Sequence, residues 1–288
     1  MKRVRLTLEM IKFEHSVFAL PFALTGALLA WRDAGFVRQG LWIKLLWIVV
    51  CMVAARSTAM AFNRVLDADI DGRNPRTRMR HLPAGSLSRG FAWGFIAVWS
   101  VVFLFAAREL NPLCFKLAPL ALAILMFYSY TKRFTSLSHA VLGLSLGIAP
   151  AGAWIAVRGD FSAAPALLMV AVATWIGGFD VLYAISDADF DRAAGLHSIP
   201  ARFGIKSSLL ISALLHLMTV AALIALAAVA GLGVPFLIGV GIVLTLLIWE
   251  HAIVTPTDLS RLNVAFFSLN GYVSVAFLAA TLLDLWLR

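Results

Sequence analysis

The chain has 288 residues, of which 61% are hydrophobic and only 14% are charged, whereas about a quarter of the residues in an ordinary soluble domain are charged. This composition excludes a conventional soluble domain and indicates a membrane protein. The net charge of +9 does not indicate nucleic acid as a partner, because the Lys and Arg residues lie in short loops between apolar segments, where they orient a protein in the membrane.

Apolar segments follow one another along the chain, with no long polar segment that could fold alone. A hydrocarbon core of about 30 Å requires about 20 residues of helix, and windows of that length predict nine transmembrane helices after an amphipathic N-terminal helix in 1–14. The windows are 16–31, 41–62, 90–107, 113–130, 137–157, 163–183, 207–230, 234–254 and 264–285. We predict an all-α polytopic membrane protein with about nine transmembrane helices in one bundle, and a single membrane-embedded domain over 1–288.

Lys and Arg residues are concentrated in alternate loops, and this bias predicts an N-terminus inside the cell and a C-terminus outside. Two connections on the predicted cytoplasmic side, 64–89 and 184–206, are longer than the others, and long loops in a compact protein often carry function. We expect a multi-pass protein of the inner, cytoplasmic-type cell membrane whose active site faces the cytoplasm.

The first long connection is preceded and opened by regularly spaced polar side chains. Asn63, Asp67 and Asp71 are four residues apart, so they lie on one face of a helix that continues from the second apolar segment. This spacing predicts a cluster of oxygen donors where that helix leaves the membrane.

The second long connection shows a related pattern. Asp180, Tyr183, Asp187 and Asp191 follow one face of a helix if the helix is continuous. Asp180 lies inside an apolar segment, where an ionisable side chain is costly and is a functional candidate by default.

Carboxylates on one face repel one another, so a cation should offset their charge. Mg²⁺ takes one or two carboxylates and completes its shell with water and substrate phosphate. Arginine matches phosphate geometry, and Arg64, Arg73 and Arg76 follow the first cluster while Arg192 and Arg202 follow the second. These residues predict a Mg²⁺-dependent site for a lipid diphosphate. The alternative is two solvated loops with ion pairs of under about 1 kcal/mol each, but two similar clusters on one predicted side favour the site.

The two acidic motifs resemble those of a known family. The motif from Asn63 to Asp71, the motif from Asp180 to Asp191, and segments 73–83 and 195–204 are similar to those of the UbiA superfamily of intramembrane aromatic prenyltransferases. The resemblance covers nearly the whole chain and is greatest to 4-hydroxybenzoate polyprenyltransferases and their relatives in quinone biosynthesis. It implies a helical bundle around a central apolar cavity, with a polar cap on the cytoplasmic side. One departure is Arg64, which follows Asn63 where many members have Asp, so the first motif has one carboxylate fewer.

The resemblance also implies roles for individual side chains. The catalytic residues would be Asp67, Asp71, Asp187 and Asp191, which would hold the Mg²⁺ diphosphate together with Asn63 as a further metal ligand. The candidate substrate-binding residues, from the resemblance and from their charge, are Arg56, Asn63, Arg64, Arg73, Arg76, Lys132, Arg133, Asp180, Tyr183, Arg192 and Arg202.

The implied reaction transfers a polyprenyl group from a polyprenyl diphosphate to a small aromatic acceptor, 4-hydroxybenzoate or a related quinone precursor. Metal and arginine charge would stabilise the departing diphosphate, and the apolar cavity would keep water from the allylic cation. Acceptors such as 1,4-dihydroxy-2-naphthoate, haem and chlorophyll-type molecules stay open, because the motifs do not specify the acceptor pocket. A membrane transporter with Asp180 and Arg56 along its route is an alternative from a different class.

Several other side chains have two interpretations. Arg56 lies in an apolar run seven residues before Asn63, so it either recognises an acceptor carboxylate or the diphosphate, or pairs with a neighbouring helix. Lys132 and Arg133 follow the fourth predicted transmembrane helix and either bind substrate or mark the cytoplasmic side. His139 is isolated and belongs to no set with zinc spacing, so we do not expect it to bind a metal.

Overall fold

The chain is folded into helices over the residues that the computed structural model describes, which are 2–11, 16–37, 39–256, 258–262 and 268–287. In chain order the helices are α1 (Lys2–Met10), α2 (Ser16–Asp33), α3 (Leu41–Arg73), α4 (Arg89–Leu110), α5 (Pro112–Thr131), α6 (Ser138–Arg158), α7 (Ala163–Ala184), a 3₁₀ turn (Ile185–Asp187), α8 (Ala188–Ala193), α9 (Ile199–Val229), α10 (Val234–Ile253) and α11 (Asn270–Trp286). The β-type pairing recorded within these ranges is an isolated bridge between Thr255 and Asp258.

Seven helices in the described part of the chain are long and apolar enough to cross a membrane. They are α3, α4, α5, α6, α7 continued through α8, α9 and α10. Helix α11 is apolar but has 17 residues, and α2, which ends with Arg32 and Asp33, is not among the seven. The predicted all-α, multi-pass membrane protein is confirmed, and the count of nine spans stays a prediction.

Side-chain caps fix where several helices begin. Asn111 accepts a hydrogen bond from the backbone N–H of Cys114 at the start of α5 (2.9 Å), and Ser198 accepts one from Ala201 at the start of α9 (3.3 Å). Each cap satisfies an N–H group that a helix N-terminus leaves without an internal partner. The cap at Ser198 therefore defines the end of the second acidic connection.

Six helices contact one another in a closed ring: α2 packs on α6, α6 on α7, α7 on α9, α9 on α10, α10 on α11, and α11 on α2. They share one buried apolar cluster that includes Phe22, Trp175 and Phe277, with the Phe22 and Trp175 ring centroids 4.7 Å apart. Because lipid is as apolar as these side chains, close packing drives helix association in a membrane. A Cβ at Gly143 of α6 would lie 2.1 Å from the carbonyl oxygen of Ala173 in α7, so only glycine permits this approach.

The two acidic motifs lie on different kinds of backbone. Helix α3 continues to Arg73 and carries the first motif, as predicted. The second motif is not on one uninterrupted α-helix, because α7 ends at Ala184 and a 3₁₀ turn precedes α8. The Ser186 hydroxyl donates to the Tyr183 carbonyl oxygen (2.8 Å). In a continuous α-helix this carbonyl would accept from a backbone N–H of the next turn, so such a local side-chain bond competes with helix formation. The expectation of a single helical face through Asp191 is corrected accordingly.

Candidate active site

Asp67 is the most enclosed carboxylate of the first motif. It is 2% exposed and accepts a hydrogen bond from the Asn63 side-chain amide (Nδ2 to Oδ2, 3.0 Å). Lys132 Nζ lies 2.6 Å from Oδ2 and Arg133 Nη2 lies 2.8 Å from Oδ1. A buried carboxylate requires such partners, because an unpaired charge away from water is strongly destabilising. The basic pair after α5 therefore belongs to the first acidic cluster.

Asp71, which is 5% exposed, is bound by the connection that follows α3. Arg80 Nη1 lies 2.8 Å from both carboxylate oxygens of Asp71, and the Thr77 hydroxyl donates to the Asp71 backbone carbonyl (3.1 Å). The connection thus folds back over the end of the helix and keeps Arg80 beside the acidic face.

Arg76 links the two motifs directly. Its Nε donates to Asp187 Oδ1 at 2.9 Å, its Nη2 is bonded to the other oxygen of Asp187, and its Nη1 donates to the Tyr183 hydroxyl at 3.0 Å. Burial lowers the pKa of Arg76, but the hydrogen bond and charge of Asp187 more than offset this, so its pKa is raised. A charged guanidinium therefore joins the first connection to the second.

The rest of the second connection is held by backbone and by one histidine. The backbone N–H of His197 donates to the Lys132 carbonyl oxygen (2.7 Å), so the residue that contacts Asp67 also anchors this connection. Asp180 Oδ2 lies 2.7 Å from His139 Nδ1. Asp191 is on α8 and half-buried, and its carbonyl oxygen accepts from Leu196 N–H (2.8 Å) where α8 ends.

Other candidate side chains lie at the edge of this assembly or apart from it. Arg64 contacts the Met10 carbonyl oxygen and the Asn63 side chain, each at 3.4 Å. Arg202 contacts the Ser136 hydroxyl (3.3 Å). Arg73 is exposed and lies outside the ion-pair network described above.

Arg192 and Arg56 lie in contrasting environments, one at the surface and one within a membrane helix. Arg192 is exposed and pairs with the exposed Asp189 (2.9 Å). This contact is a surface ion pair of the kind expected in a solvated loop. Arg56 lies within α3, and its buried Nε has no hydrogen-bond partner in the described part of the chain.

Sequence reasoning left two of these contacts unassigned. Arg80 was not among the predicted binding residues, although its position within the arginine-rich connection was a signal. His139 was expected to be isolated, and its pairing with Asp180 arises from the packing of α6 on α7, for which spacing along the chain gives no signal.

The donor set suits a cation that arrives with its own ligands. Within the described ranges, no three His, Cys, Asp or Glu side chains are grouped as a closed metal cage. Mg²⁺ does not need one, since it binds through one or two carboxylates and retains water and substrate phosphates. The carboxylate and amide oxygens of the two motifs fit a Mg²⁺ of this kind.

Comparison with known proteins is consistent with this geometry. Residues 19–277 match the model of the UbiA prenyltransferase family. The 4-hydroxybenzoate octaprenyltransferase of Vibrio atlanticus is 30% identical over 84% of this chain and 84% of its own length. The protein of the same name from Nitrosospira multiformis is 29% identical over 86% of this chain and 88% of its own.

Solved structures show the same architecture. The apo structure of a UbiA homologue from Aeropyrum pernix aligns with a TM-score of 0.84 and 34% identity, covering 94% of this chain and 98% of that one. A UbiA homologue from Archaeoglobus fulgidus bound to GPP and Mg²⁺ aligns with a TM-score of 0.72 and 18% identity, covering 98% and 99%, and at that identity it supports the fold alone. The chain therefore belongs to the UbiA prenyltransferase family and is a membrane prenyltransferase.

Proposed function

We propose that the protein transfers a polyprenyl group from a polyprenyl diphosphate to an aromatic acceptor, with 4-hydroxybenzoate as the preferred acceptor. The observation that carries the proposal is the Arg76 contact with Asp187 and Tyr183, which brings two acidic clusters and their basic partners into one assembly. The relatives named 4-hydroxybenzoate octaprenyltransferase support the choice of acceptor.

Mg²⁺ would be held by oxygen atoms of Asp67, Asp71, Asp187 and Asp191, with Asn63 contributing its amide oxygen. A UbiA homologue was solved with GPP and Mg²⁺, which motivates Mg²⁺ as the metal, and the choice of ligands rests on the oxygen donors of the two motifs. When bound, the metal supplies positive charge that stabilises the departing diphosphate.

The basic side chains complete the diphosphate site. Arg76, Arg80, Lys132 and Arg133 are all paired with carboxylates in the resting protein. A diphosphate that binds between the two motifs would meet these side chains, and guanidinium groups form two-pronged contacts with phosphate oxygens. Fixed donors aimed at developing negative charge favour cleavage of the allylic C–O bond. We assign them to binding the diphosphate and orienting it in line with the acceptor.

The acceptor site is assigned to the region around Arg56. Arg56 lies seven positions before Asn63 on α3, which places Arg56 about 10 Å deeper in the membrane at 1.5 Å per residue. Its buried Nε has no partner among the residues that the structure describes, and a buried polar group without one is costly. The carboxylate of 4-hydroxybenzoate matches this guanidinium, and it would hold the ring below the diphosphate.

Three broader assignments accompany the proposal. A central apolar cavity beneath a cytoplasmic polar cap would hold the isoprenoid tail and keep water from the allylic cation. The bias of Lys and Arg residues supports an N-terminus inside, a C-terminus outside and a cytoplasmic active site in an inner, cytoplasmic-type membrane. All nine apolar segments would then span that membrane as one domain over residues 1–288.

The test uses membranes that contain the full chain, labelled polyprenyl diphosphate and Mg²⁺. We expect a prenylated product from 4-hydroxybenzoate, less from 1,4-dihydroxy-2-naphthoate, and none after chelation or in an Asp187→Asn variant. Mass spectrometry of the extracted lipid identifies the product. Undiminished transfer after chelation, or the absence of a product with every acceptor, contradicts the proposal.

A further inference from the structure

His139 lies in the first turn of α6 and connects two parts of the second acidic connection. It is buried. Its Nδ1 lies 2.7 Å from Asp180 Oδ2, and its Nε2 accepts a hydrogen bond from the backbone N–H of Ile199 (3.3 Å). Both ring nitrogens are therefore used, one on each side of the segment that carries Asp187 and Asp191.

These two contacts determine which ring nitrogen carries the proton. A backbone N–H can only donate, so Nε2 must accept and be unprotonated. The single ring proton of a neutral imidazole is then on Nδ1, and Nδ1–H donates to the Asp180 carboxylate. An imidazole whose other nitrogen is fixed in this way has both its tautomer and its orientation set by its neighbours.

The Ile199 contact also explains why the histidine sits at this place. Ile199 is the first residue of α9, and N–H groups in the first turn of a helix have no partner within the helix. Ser198 caps the N–H of Ala201, which leaves the N–H of Ile199 for His139. Asp180 on α7 and the start of α9 are thus bound to one side chain of a third helix.

We propose that His139 is a positioning residue for the diphosphate site, an inference that rests on the proposed function. By bonding Oδ2, His139 fixes the rotamer of Asp180, and Oδ1 would be the oxygen that this carboxylate offers to the Mg²⁺ diphosphate. By holding Ile199, it fixes the distance between the two ends of the segment that contains Asp187 and Asp191. His139 touches neither substrate, and it acts through the carboxylate that it orients.

Three substitutions separate these contacts. His139→Asn keeps an amide donor near the place of Nδ1 but is too short to reach Ile199. His139→Gln places its amide near Nε2, where its oxygen can accept from Ile199. His139→Leu removes both contacts. The matched control is His216→Asn, since His216 is also buried but contacts His251 (3.0 Å) and lies outside the acidic assembly.

The measurements are KM for the polyprenyl diphosphate, KM for the acceptor, and the rise in melting temperature of detergent-solubilised protein on addition of Mg²⁺ with a non-reactive prenyl diphosphate analogue. Loss of a side chain that supports a metal-site ligand typically costs about 10- to 100-fold in affinity or activity. We expect that loss for His139→Leu on the diphosphate side, with a reduced thermal shift and an unchanged acceptor KM. His139→Asn should retain most of the wild-type affinity for the diphosphate, and His216→Asn should not alter that affinity.

A double substitution distinguishes positioning from a general structural role. If His139 acts through Asp180, then His139→Leu adds little to the loss caused by Asp180→Asn, because residues that serve one assembly are non-additive. Independent, multiplying losses overturn the inference, as does a His139→Asn variant that is as impaired as His139→Leu. If the wild-type protein binds the analogue and transfers prenyl groups, and every His139 variant does so equally well, the positioning role alone is refuted. Wild-type protein that neither binds nor transfers refutes the proposed function and this inference together.

Discussion

Arg76→Lys tests whether the geometry of the link between the two acidic motifs matters beyond its charge. Arginine makes two contacts with Asp187 and one with Tyr183, and a lysine ammonium keeps the charge but cannot form the same planar, two-pronged contact. Because the Arg76 side chain is 40% exposed, each lost contact is taken as about 1 kcal/mol, below the usual value for a charged hydrogen bond. Arg76 would offer the same two-pronged contact to phosphate oxygens, and two lost contacts of this kind amount to about 2 kcal/mol, which is roughly a 30-fold loss in kcat/KM for the diphosphate.

The assay for Arg76→Lys is the initial rate of prenyl transfer as polyprenyl diphosphate is varied at saturating acceptor. Arg78→Lys is the matched control, because Arg78 lies two residues away in the same connection and is exposed. We expect the control to retain wild-type kcat/KM. An Arg76→Lys variant that equals the control, or whose loss is confined to the acceptor KM, would refute the reasoning from this contact.

Three further substitutions test other parts of the site. Arg56→Gln should raise the acceptor KM more than the diphosphate KM, since Arg56, whose Nε is buried, would pair with the acceptor carboxylate, and an equal rise in both would place Arg56 on the diphosphate. Asp67→Asn and Asp191→Asn should each reduce transfer strongly while the double variant loses little more than the worse single one, and losses that multiply in the rate assay would indicate two separate sites. Lys132→Gln should weaken binding of the diphosphate and strengthen binding of Mg²⁺ to the free protein, and calorimetry measures both affinities. If both affinities fell, Lys132 would not be a cation that moves from Asp67 to the phosphate.

The parts of the fold that follow from local pattern were predictable. Hydrophobic windows of membrane length identify helices because the bilayer imposes their length, and the periodicity of Asn63, Asp67 and Asp71 identifies one face because neighbours at that spacing share a helix surface. The structure confirms that α3 continues through this motif. Local pattern did not reveal the end of α7 at Ala184, since the competing hydrogen bond from Ser186 can be identified only once the backbone path is known.

The pairings within the candidate site were less predictable than its members. Charge and spacing singled out Asp67, Lys132 and Arg76, yet which cation binds which carboxylate depends on how α3, α5 and the connections pack. Lys132 could have been a marker of the cytoplasmic side, and only its 2.6 Å contact with Asp67 assigns it to the first motif. His139 shows the limit most clearly, because an isolated histidine carries no sequence signal for a partner on another helix.

The arrangement around Asp67 has a consequence for the order of binding. The Lys132 and Arg133 side chains are 33% and 28% exposed, whereas that of Asp67 is 2% exposed, so the two cations lie between the carboxylate and the solvent. A metal ion cannot reach Asp67 while both cations remain in place, and a carboxylate that loses them without replacement would be a buried, unpaired charge. Both costs would be avoided if Mg²⁺ bound together with the diphosphate, because Lys132 and Arg133 could then pair with phosphate oxygens while Asp67 would serve as a metal ligand. Removing Lys132 uncovers one side of Asp67 and takes one positive charge from the diphosphate site. The affinity for Mg²⁺ should therefore rise while the affinity for the diphosphate falls.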